Sequence, residues 1–591
     1  RAYTVFTFQC AECANRCDIR RVSFEGEAPL FYGSRCEKYD VKKRSGTEEH
    51  IPDLFVQRDR LIAAAITSRV AAEGPVIGIP RMLYLNDEMP FWQTFFTELG
   101  FPVMLSDRTS RTMVNRGLES SAAETCFPAK VALGHIQDLV DKKVDVLFLP
   151  SFVRFPAAHG DGKYSQACPY AQALPYLAKA ALRLGGTKVI EAVLRLQNER
   201  QFAASVREVG KALGKGSRVV ARAMRLGQEA QERAGKAVQQ KGREALSGLK
   251  PGERALVLIG RTYNTCDQGM NMNLPAKIRD LGVQAIPMDF LPLHDADYTD
   301  PSNMYWRSGQ KILAAGRYIK DHPNLYPVYI TNFGCGPDSF ISHFFKDALV
   351  GKPFLQLEID EHSADAGAIT RIEAFLDSLR NVNSVREQSS LTIATGGFAL
   401  PSSRNTIRGH EQEVFSNGVN GTKPVRSFSL RSKAAPHRRK VFLPPMADHA
   451  HALAAAFRAC GVESEVLPES DAETVRIGKQ NCSGRECYPL ALTTGDMIKA
   501  TRLRDFDPDR SAFFMPSGKG PCRFGQYNQY HRLVLDNLGL HEVPIVAPIQ
   551  DEGMYHELGM VGKDFLRLLW NGVVSVDMLQ KALWEHRPYE K

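Results

Sequence analysis

The chain contains no uninterrupted apolar run near the roughly 20 residues that cross a bilayer, so no membrane partner is expected. Its opening, Arg1-Ala2-Tyr3-Thr4-Val5-Phe6, lacks the basic stretch and long apolar core of a secretory signal, and the expected location is cytoplasmic. It starts on Arg1 rather than Met, as expected of a processed chain or a piece of a longer one. No Gly-x4-Gly-Lys-Ser/Thr spacing occurs: Gly160-Asp161-Gly162-Lys163 and Ser517-Gly518-Lys519-Gly520 are rich in glycine but spaced otherwise. Nor does a strand lead into Gly-x-Gly-x2-Gly. The chain is therefore expected neither to hydrolyse ATP itself nor to bind a nicotinamide. Charge of one sign is scarce as well. Lys+Arg number 75 against Asp+Glu 66, a net +9 across 591 residues, and basic residues do not alternate with aromatics along one face. No nucleic-acid partner is expected. With 43% hydrophobic and 24% charged residues the chain is not a disordered one, and it is too long for a single core.

What is present is cysteine. The twelve thiols are Cys10, Cys13, Cys17, Cys36, Cys126, Cys168, Cys266, Cys335, Cys460, Cys482, Cys487 and Cys522. A disulfide framework belongs to short secreted chains. Clustered thiols flanked by Gly and Pro in a reducing compartment read instead as metal or iron–sulfur ligands. Glycine and proline let the backbone approach a cluster and leave amides free to point at sulfur.

Residues 1–50 form a four-cysteine metal-binding segment, with Cys10-Ala11-Glu12-Cys13, then Cys17, then Cys36. So small a segment cannot bury a core unaided, and its Cys-x2-Cys hairpin with a distant fourth thiol suits tetrahedral Zn2+; a further [4Fe–4S] cluster is the alternative. From residue 75 apolar strands alternate with amphipathic helices. That predicts an α/β protein of repeated Rossmann-like lobes with parallel sheets, a helical insertion and the small Cys-rich start. Residues 76–82 read as a strand, 91–99 as a helix stopped by Gly100, and 102–105 as the next strand. The order returns at 441–446, 450–459, Gly461 and 465–467, and more loosely at 256–260, Gly282 and a strand to Asp289. The first lobe is assigned to 75–195 and 251–380, a helical insertion with a solvated charged face to 196–250, a linker to 381–438, and the second lobe to 439–580.

Repetition redefines a fold, and here it reaches the cysteines. Glu124-Thr125-Cys126-Phe127-Pro128 matches Arg485-Glu486-Cys487-Tyr488-Pro489, and eight residues beyond each Cys lies a glycine, Gly134 and Gly495. Phe148-Leu149-Pro150-Ser151 matches Phe514-Met515-Pro516-Ser517, and another thiol follows each, Cys168 and Cys522. The first lobe adds Cys335 between Gly334 and Gly336; the second adds Cys482. Three thiols per lobe result. Three thiolates on a four-iron cubane leave one iron open to substrate, solvent or a bridging sulfide. Cys266 is the replacement candidate for Cys482, and Cys460, before Gly461, reads as a core residue.

The motifs Glu124–Lys130, Gly334-Cys335-Gly336-Pro337-Asp338-Ser339-Phe340 and Gly520-Pro521-Cys522-Arg523-Phe524-Gly525-Gln526-Tyr527 resemble the 2-hydroxyacyl-CoA dehydratase-related family, in particular the activase-related module found with double-cubane cluster proteins. Residues 357–362 and 370–375 resemble a strand-then-helix segment of those dehydratase subunits. The resemblance spans about residues 75 to 575. It implies two cubanes joined through a sulfide into one [8Fe–9S] centre, or two [4Fe–4S] clusters, on Cys126, Cys168, Cys335, Cys482, Cys487 and Cys522. It also implies an ATP-hydrolysing iron–sulfur activase as partner, separate or upstream on the same polypeptide, and reduction of a small molecule or an acyl-CoA. This chain departs from the usual arrangement in carrying both lobes on one polypeptide.

Candidate acid–base groups are Glu124, His159 and Glu486, with Lys130, Lys163, Glu361, His362, Lys519 and Arg523 nearby in sequence. The competing readings are a non-catalytic cluster relay or scaffold, a 2-hydroxyacyl-CoA dehydratase-like lyase, and a zinc-bearing nucleic-acid binder.

Overall fold

The computed structural model describes residues 3–10, 17–24, 29–33, 51–66, 74–156, 165–196, 199–293, 304–394, 439–518, 520, 522–549 and 561–590. At the start, β1 (Tyr3–Gln9), β2 (Asp18–Phe24) and β3 (Leu30–Tyr32) form an antiparallel meander.

Three parallel sheets follow, built from apolar runs too short for helices and mostly buried on both faces. The first holds β4 (Ile77–Ile79), β5 (Val103–Leu105) and β6 (Val146–Phe148). After the separate strand β7 (Ser151–Arg154) it gains β8 (Lys188–Ile190), giving the order β5-β4-β6-β8; β9 (Val193–Arg195) pairs with β7. The second contains β10 (Ala255–Ile259), β11 (Gln284–Pro287), β12 (Leu325–Thr331) and β13 (Leu355–Glu358), ordered β11-β10-β12-β13. The third contains β14 (Lys440–Leu443), β15 (Ser464–Val466), β16 (Ser511–Phe514) and β17 (Ile545–Val546), ordered β15-β14-β16-β17. In each, the second strand lies outside the first and the chain then crosses to the other side. The helices Met89–Glu98, Leu274–Asp280 and His449–Ala459, which join the first two strands of each sheet, are followed by Gly100, Gly282 and Gly461 at φ +85°, +79° and +78°. The left-handed stop explains why all three read so clearly.

The stretches 75–195 and 251–380, expected as two parts of one lobe, each build a sheet of their own. Strand–helix alternation specifies parallel pairing but not how many strands share a sheet. Between them, helices Glu199–Ala212 and Ser217–Ser247 occupy the predicted insertion. The second is more than a solvated hairpin: its small residues Ala223, Gly227, Ala230, Ala234 and Gly242 form a buried stripe. Gly227 lies against Phe91 of the first unit and Gly242 against the Phe290 carbonyl of the second, so the helix spans both. Arg222, Arg225 and Arg243 face water, as the charge pattern predicts. The helix Asp365–Ala394 runs into the predicted linker, and residues 395–438 lie outside the described residues.

The repeat is also visible in helix crossings. Helices Arg111–Ser120 and Phe127–Asp141 meet where a Cβ on Gly117 would strike the Lys130 carbonyl and one on Gly134 the Met113 carbonyl. Helices Ala472–Gln480 and Tyr488–Ala500 meet in the same way through Gly478 against Ala491 and Gly495 against Thr474. The second and third units share one apolar core, which includes Phe340 and Phe345 of one and Phe442 and Phe513 of the other.

Candidate functional site

Four of the six thiols open helices. Cys126 is the N-cap of Phe127–Asp141, Cys168 of Pro169–Ala181 and Cys487 of Tyr488–Ala500; Cys522 precedes the short 3-10 turn Arg523–Gln526. A proline in the first turn of the three longer helices fits there at no hydrogen-bond cost. Cys335 lies in the loop after β12, and its carbonyl accepts from Ser339 N at 3.2 Å. The unpaired amides and positive end of a helix favour negative charge at its N-terminus; Ala171 N already donates to Cys168 Sγ at 3.4 Å.

The first set senses itself electrically. Burial, then charge on Cys168, pushes the Cys126 thiol up to about 12. Burial raises Cys168 and Cys335 as well, with Cys126 among the charges acting on Cys335. Yet among the described residues no three His, Cys, Asp or Glu side chains are grouped to hold a single metal ion. The thiols are near enough to interact but not gathered round one point. Behind them lies a residue the sequence reading missed. Arg261, 3% exposed, donates from Nη1 to Asp338 Oδ2 at 2.6 Å, and Asp338 also accepts from Tyr329 OH at 3.0 Å and Thr331 Oγ1 at 2.7 Å. Nε and Nη2 of Arg261 have no partner in strict hydrogen-bond geometry, the Tyr84 hydroxyl being the neighbouring acceptor. A buried cation with donors to spare beside three thiols fits an anionic group held on those thiols. The signal available was an arginine two residues after the fully buried strand β10.

In the second set, Cys487 Sγ lies 2.6 Å from the Tyr527 hydroxyl. Burial, then Glu486, pushes the Cys482 thiol up to about 12, and Cys487 contributes too. The two sets meet through their carriers. Arg523 Nη1 donates to Ser339 Oγ at 2.9 Å and to the Arg485 carbonyl at 3.1 Å, and Gly336 packs against the Arg523 side chain. Tyr305 links them again: its hydroxyl donates to the Cys522 carbonyl at 2.5 Å and its carbonyl accepts from Gln166 N at 2.6 Å. Arg485 pairs with Glu358 at 3.1 Å.

The acid–base candidates are engaged. Lys130, 6% exposed at its side chain, pairs with Glu124 at 2.8 Å and Glu361 at 2.5 Å; Glu124 is open to water. The Lys130 hydrogen bond holds the Glu124 carboxyl below its usual range. Burial would raise Glu486, but its hydrogen bond and ion pair with His343 outweigh that and hold it at about 2. Both glutamates are thus carboxylates at neutral pH. His362 is exposed. His159, Lys163 and Lys519 lie outside the described residues, as do Cys13 and Cys36. Of the N-terminal thiols, Cys10 N donates to the Cys17 carbonyl at 2.9 Å at the base of the β1–β2 hairpin. Cys266 lies elsewhere: burial pushes it up to about 12, and the charges acting on it are Arg58, Asp289 and Asp59 rather than other thiols. Cys460 packs against Gly562, in the core role its position predicts.

Residues 76–291 match the family model described as a CoA enzyme activase uncharacterised domain. The span covers the first sheet, Cys126, Cys168 and Arg261, and agrees with the dehydratase and activase kinship that the motifs imply. No curated protein matches the chain. Among solved structures, FpvC, an SBP from P. aeruginosa in complex with Ni2+, is 14% identical with a TM-score of 0.17, covering 56% of this chain and 100% of its own. A metal-free mutant periplasmic metal binding protein from candidatus Liberibacter asiaticus is 10% identical with a TM-score of 0.17, covering 49% and 90%. Likeness at that level carries no argument. Among the described residues no helix is long and apolar enough to cross a membrane.

Proposed function

We propose that Cys126, Cys168 and Cys335 on one side, and Cys482, Cys487 and Cys522 on the other, hold a double-cubane [8Fe–9S] cluster or two [4Fe–4S] clusters. On this reading the chain is the reductase component served by an ATP-hydrolysing iron–sulfur activase, separate or upstream, and its substrate is a small molecule or an acyl-CoA. One observation carries the reading: two thiol sets, with four of the six thiols at helix N-termini, joined across Gly336 and Arg523, with Arg261 buried behind one of them. When bound, such a group supplies low-potential electrons. The chain's residues do the rest. Helix N-termini and Arg261 favour negative charge on the sulfurs, which raises the potential of the held group. Tyr84 and Tyr263, packed edge to face at 5.7 Å, exclude water from the first set. Arg523, and Glu486 bonded to His343, clamp the third unit onto the second. Glu124, exposed and bonded to Lys130, keeps a fixed carboxylate beside the first set and orients the Lys130 ammonium. The four-cysteine start is assigned to Zn2+ or a further [4Fe–4S] cluster.

The test is ATP-dependent electron uptake by the anaerobically prepared chain from a reduced activase, followed by electron paramagnetic resonance. The reading expects a reduced-cluster signal that is lost in Cys335→Ser and Cys522→Ser and kept in Cys266→Ser and Cys460→Ser. Loss confined to Cys266→Ser contradicts the ligand set. A signal without turnover of any offered substrate favours an electron relay over a reductase.

A further inference from the structure

We infer that a cleft between the helix Leu54–Ala65, the segment after β5 and the turn after β10 binds a small organic anion, with its carboxylate or phosphate head between Arg81 and Arg108. The cleft encloses about 250 Å3, and Arg58, Arg81 and Arg108 all line it. That is below the roughly 300–1,000 Å3 typical of drug-sized ligand sites, so the occupant is small.

The cations are not equivalent. Arg58 is answered, with Nε on Asp289 Oδ2 at 2.6 Å and Nη1 on Asp59 Oδ1 at 3.4 Å. Asp267, the other acid in the cleft, is also spent: Oδ1 accepts from Gly269 N and Met270 N at 2.9 and 3.0 Å, and Oδ2 from Thr109 Oγ1 at 2.6 Å. Arg81 is anchored by its Nε on the Ser106 carbonyl at 3.0 Å and its backbone N on Ser106 Oγ at 2.8 Å. Among the described residues no carboxylate lies within ion-pair distance of Arg81 or Arg108. Burial, then the charge of Arg108, disfavours the Arg81 cation, and the charges of Asp267, Asp59 and Asp107 offset this only in part. Two guanidiniums that repel one another beside a concave surface make a fork for an oxyanion, whose bidentate geometry both can meet.

The remaining wall is mixed, with Asn86, Gln93, Thr262 and Gln268 beside an apolar strip. Ile62, Ile66, Met89 and Leu105 form that strip, so the ligand carries a hydrocarbon body as well as a charged head. Tyr263 lines the cleft too, and the charges of Cys168 and Cys335 act on it. None of the six proposed cluster thiols lines the cleft, and the inference does not rest on the cluster being present.

The test is isothermal titration calorimetry on the full chain at constant ionic strength, with benzoate, phenyl phosphate, inorganic phosphate and phenol as probes. One-to-one binding of benzoate or phenyl phosphate is expected, the tighter of the two identifying the head group, with inorganic phosphate weaker and phenol silent. Arg81→Gln and Arg108→Gln should each weaken binding about tenfold or more, the scale of a lost charge-assisted hydrogen bond. Arg225→Gln, on a remote helix face, should not change it. Arg108 is exposed, so Arg108→Gln carries the test even if Arg81→Gln fails to fold. Absence of saturable binding to the wild-type chain, or wild-type affinity in Arg108→Gln, would overturn the inference.

Discussion

Arg261 and Asp338 form a buried pair, each 2% exposed at the side chain, and neither charge reaches water. Breaking such a pair leaves one ion stranded, whereas replacing both with apolar groups removes the problem. Arg261→Met should therefore lower the stability of the apo chain by about 3–5 kcal/mol in urea unfolding, and Arg261→Met/Asp338→Leu should recover much of the loss. A single variant as stable as the parent would show that Asp338 does not need the cation. Asp338 was legible because it sits in a motif. Arg261 was marked only by its place after a buried strand, and its partner Asp338 is 77 residues away in the chain. The same limit applies to His343, whose Glu486 contact joins residues far apart in sequence.

At the scale of elements, the glycines make sharper statements than the cysteines. Gly134→Ala and Gly495→Ala must push helices apart, since each new Cβ meets a backbone carbonyl that cannot rotate away. Each should cost about 1–3 kcal/mol or more, read as a shift in the urea midpoint. Gly235→Ala, on an exposed helix face with nothing within 4 Å, should instead stabilise by about 0.5–1 kcal/mol. An equal effect at the three sites would mean that the crossings are not tight. Much of this layer was readable. Gly134 and Gly495 were flagged by their distance from Cys126 and Cys487, and Gly100, Gly282 and Gly461 by the strands that follow them. Their partners Gly117 and Gly478 were not flagged, because a glycine inside a helix pattern gives no hint of what crosses it. Nor could apolar triplets such as Ile77-Gly78-Ile79 reveal that three sheets, rather than two lobes, divide the chain.

Across the whole molecule, two histidines set a pH limit. Burial lowers His135 to about 3, and burial alone lowers His531 to about 3. The unfolded chain protonates both near pH 6.5, so below that pH it binds more protons than the folded chain. Their effect on stability is nil above about pH 6.5 and grows unfavourable as pH falls toward 3. Between pH 7 and 5 each should cost roughly 2 kcal/mol, seen as a falling urea midpoint; His531→Gln should shallow the slope, and an unchanged slope would contradict the buried neutral ring. The functional reading also lives at this scale, because no single unit holds both thiol sets. It is tested most directly by iron and acid-labile sulfide analysis of the anaerobically reconstituted chain carrying Cys10→Ser and Cys13→Ser, which removes the N-terminal site. About eight irons per chain, as a double cubane requires, falling by about half in Cys126→Ser/Cys168→Ser/Cys335→Ser, is the expected result. A chain that retains essentially no iron, or one whose iron is indifferent to those three thiols, would contradict it.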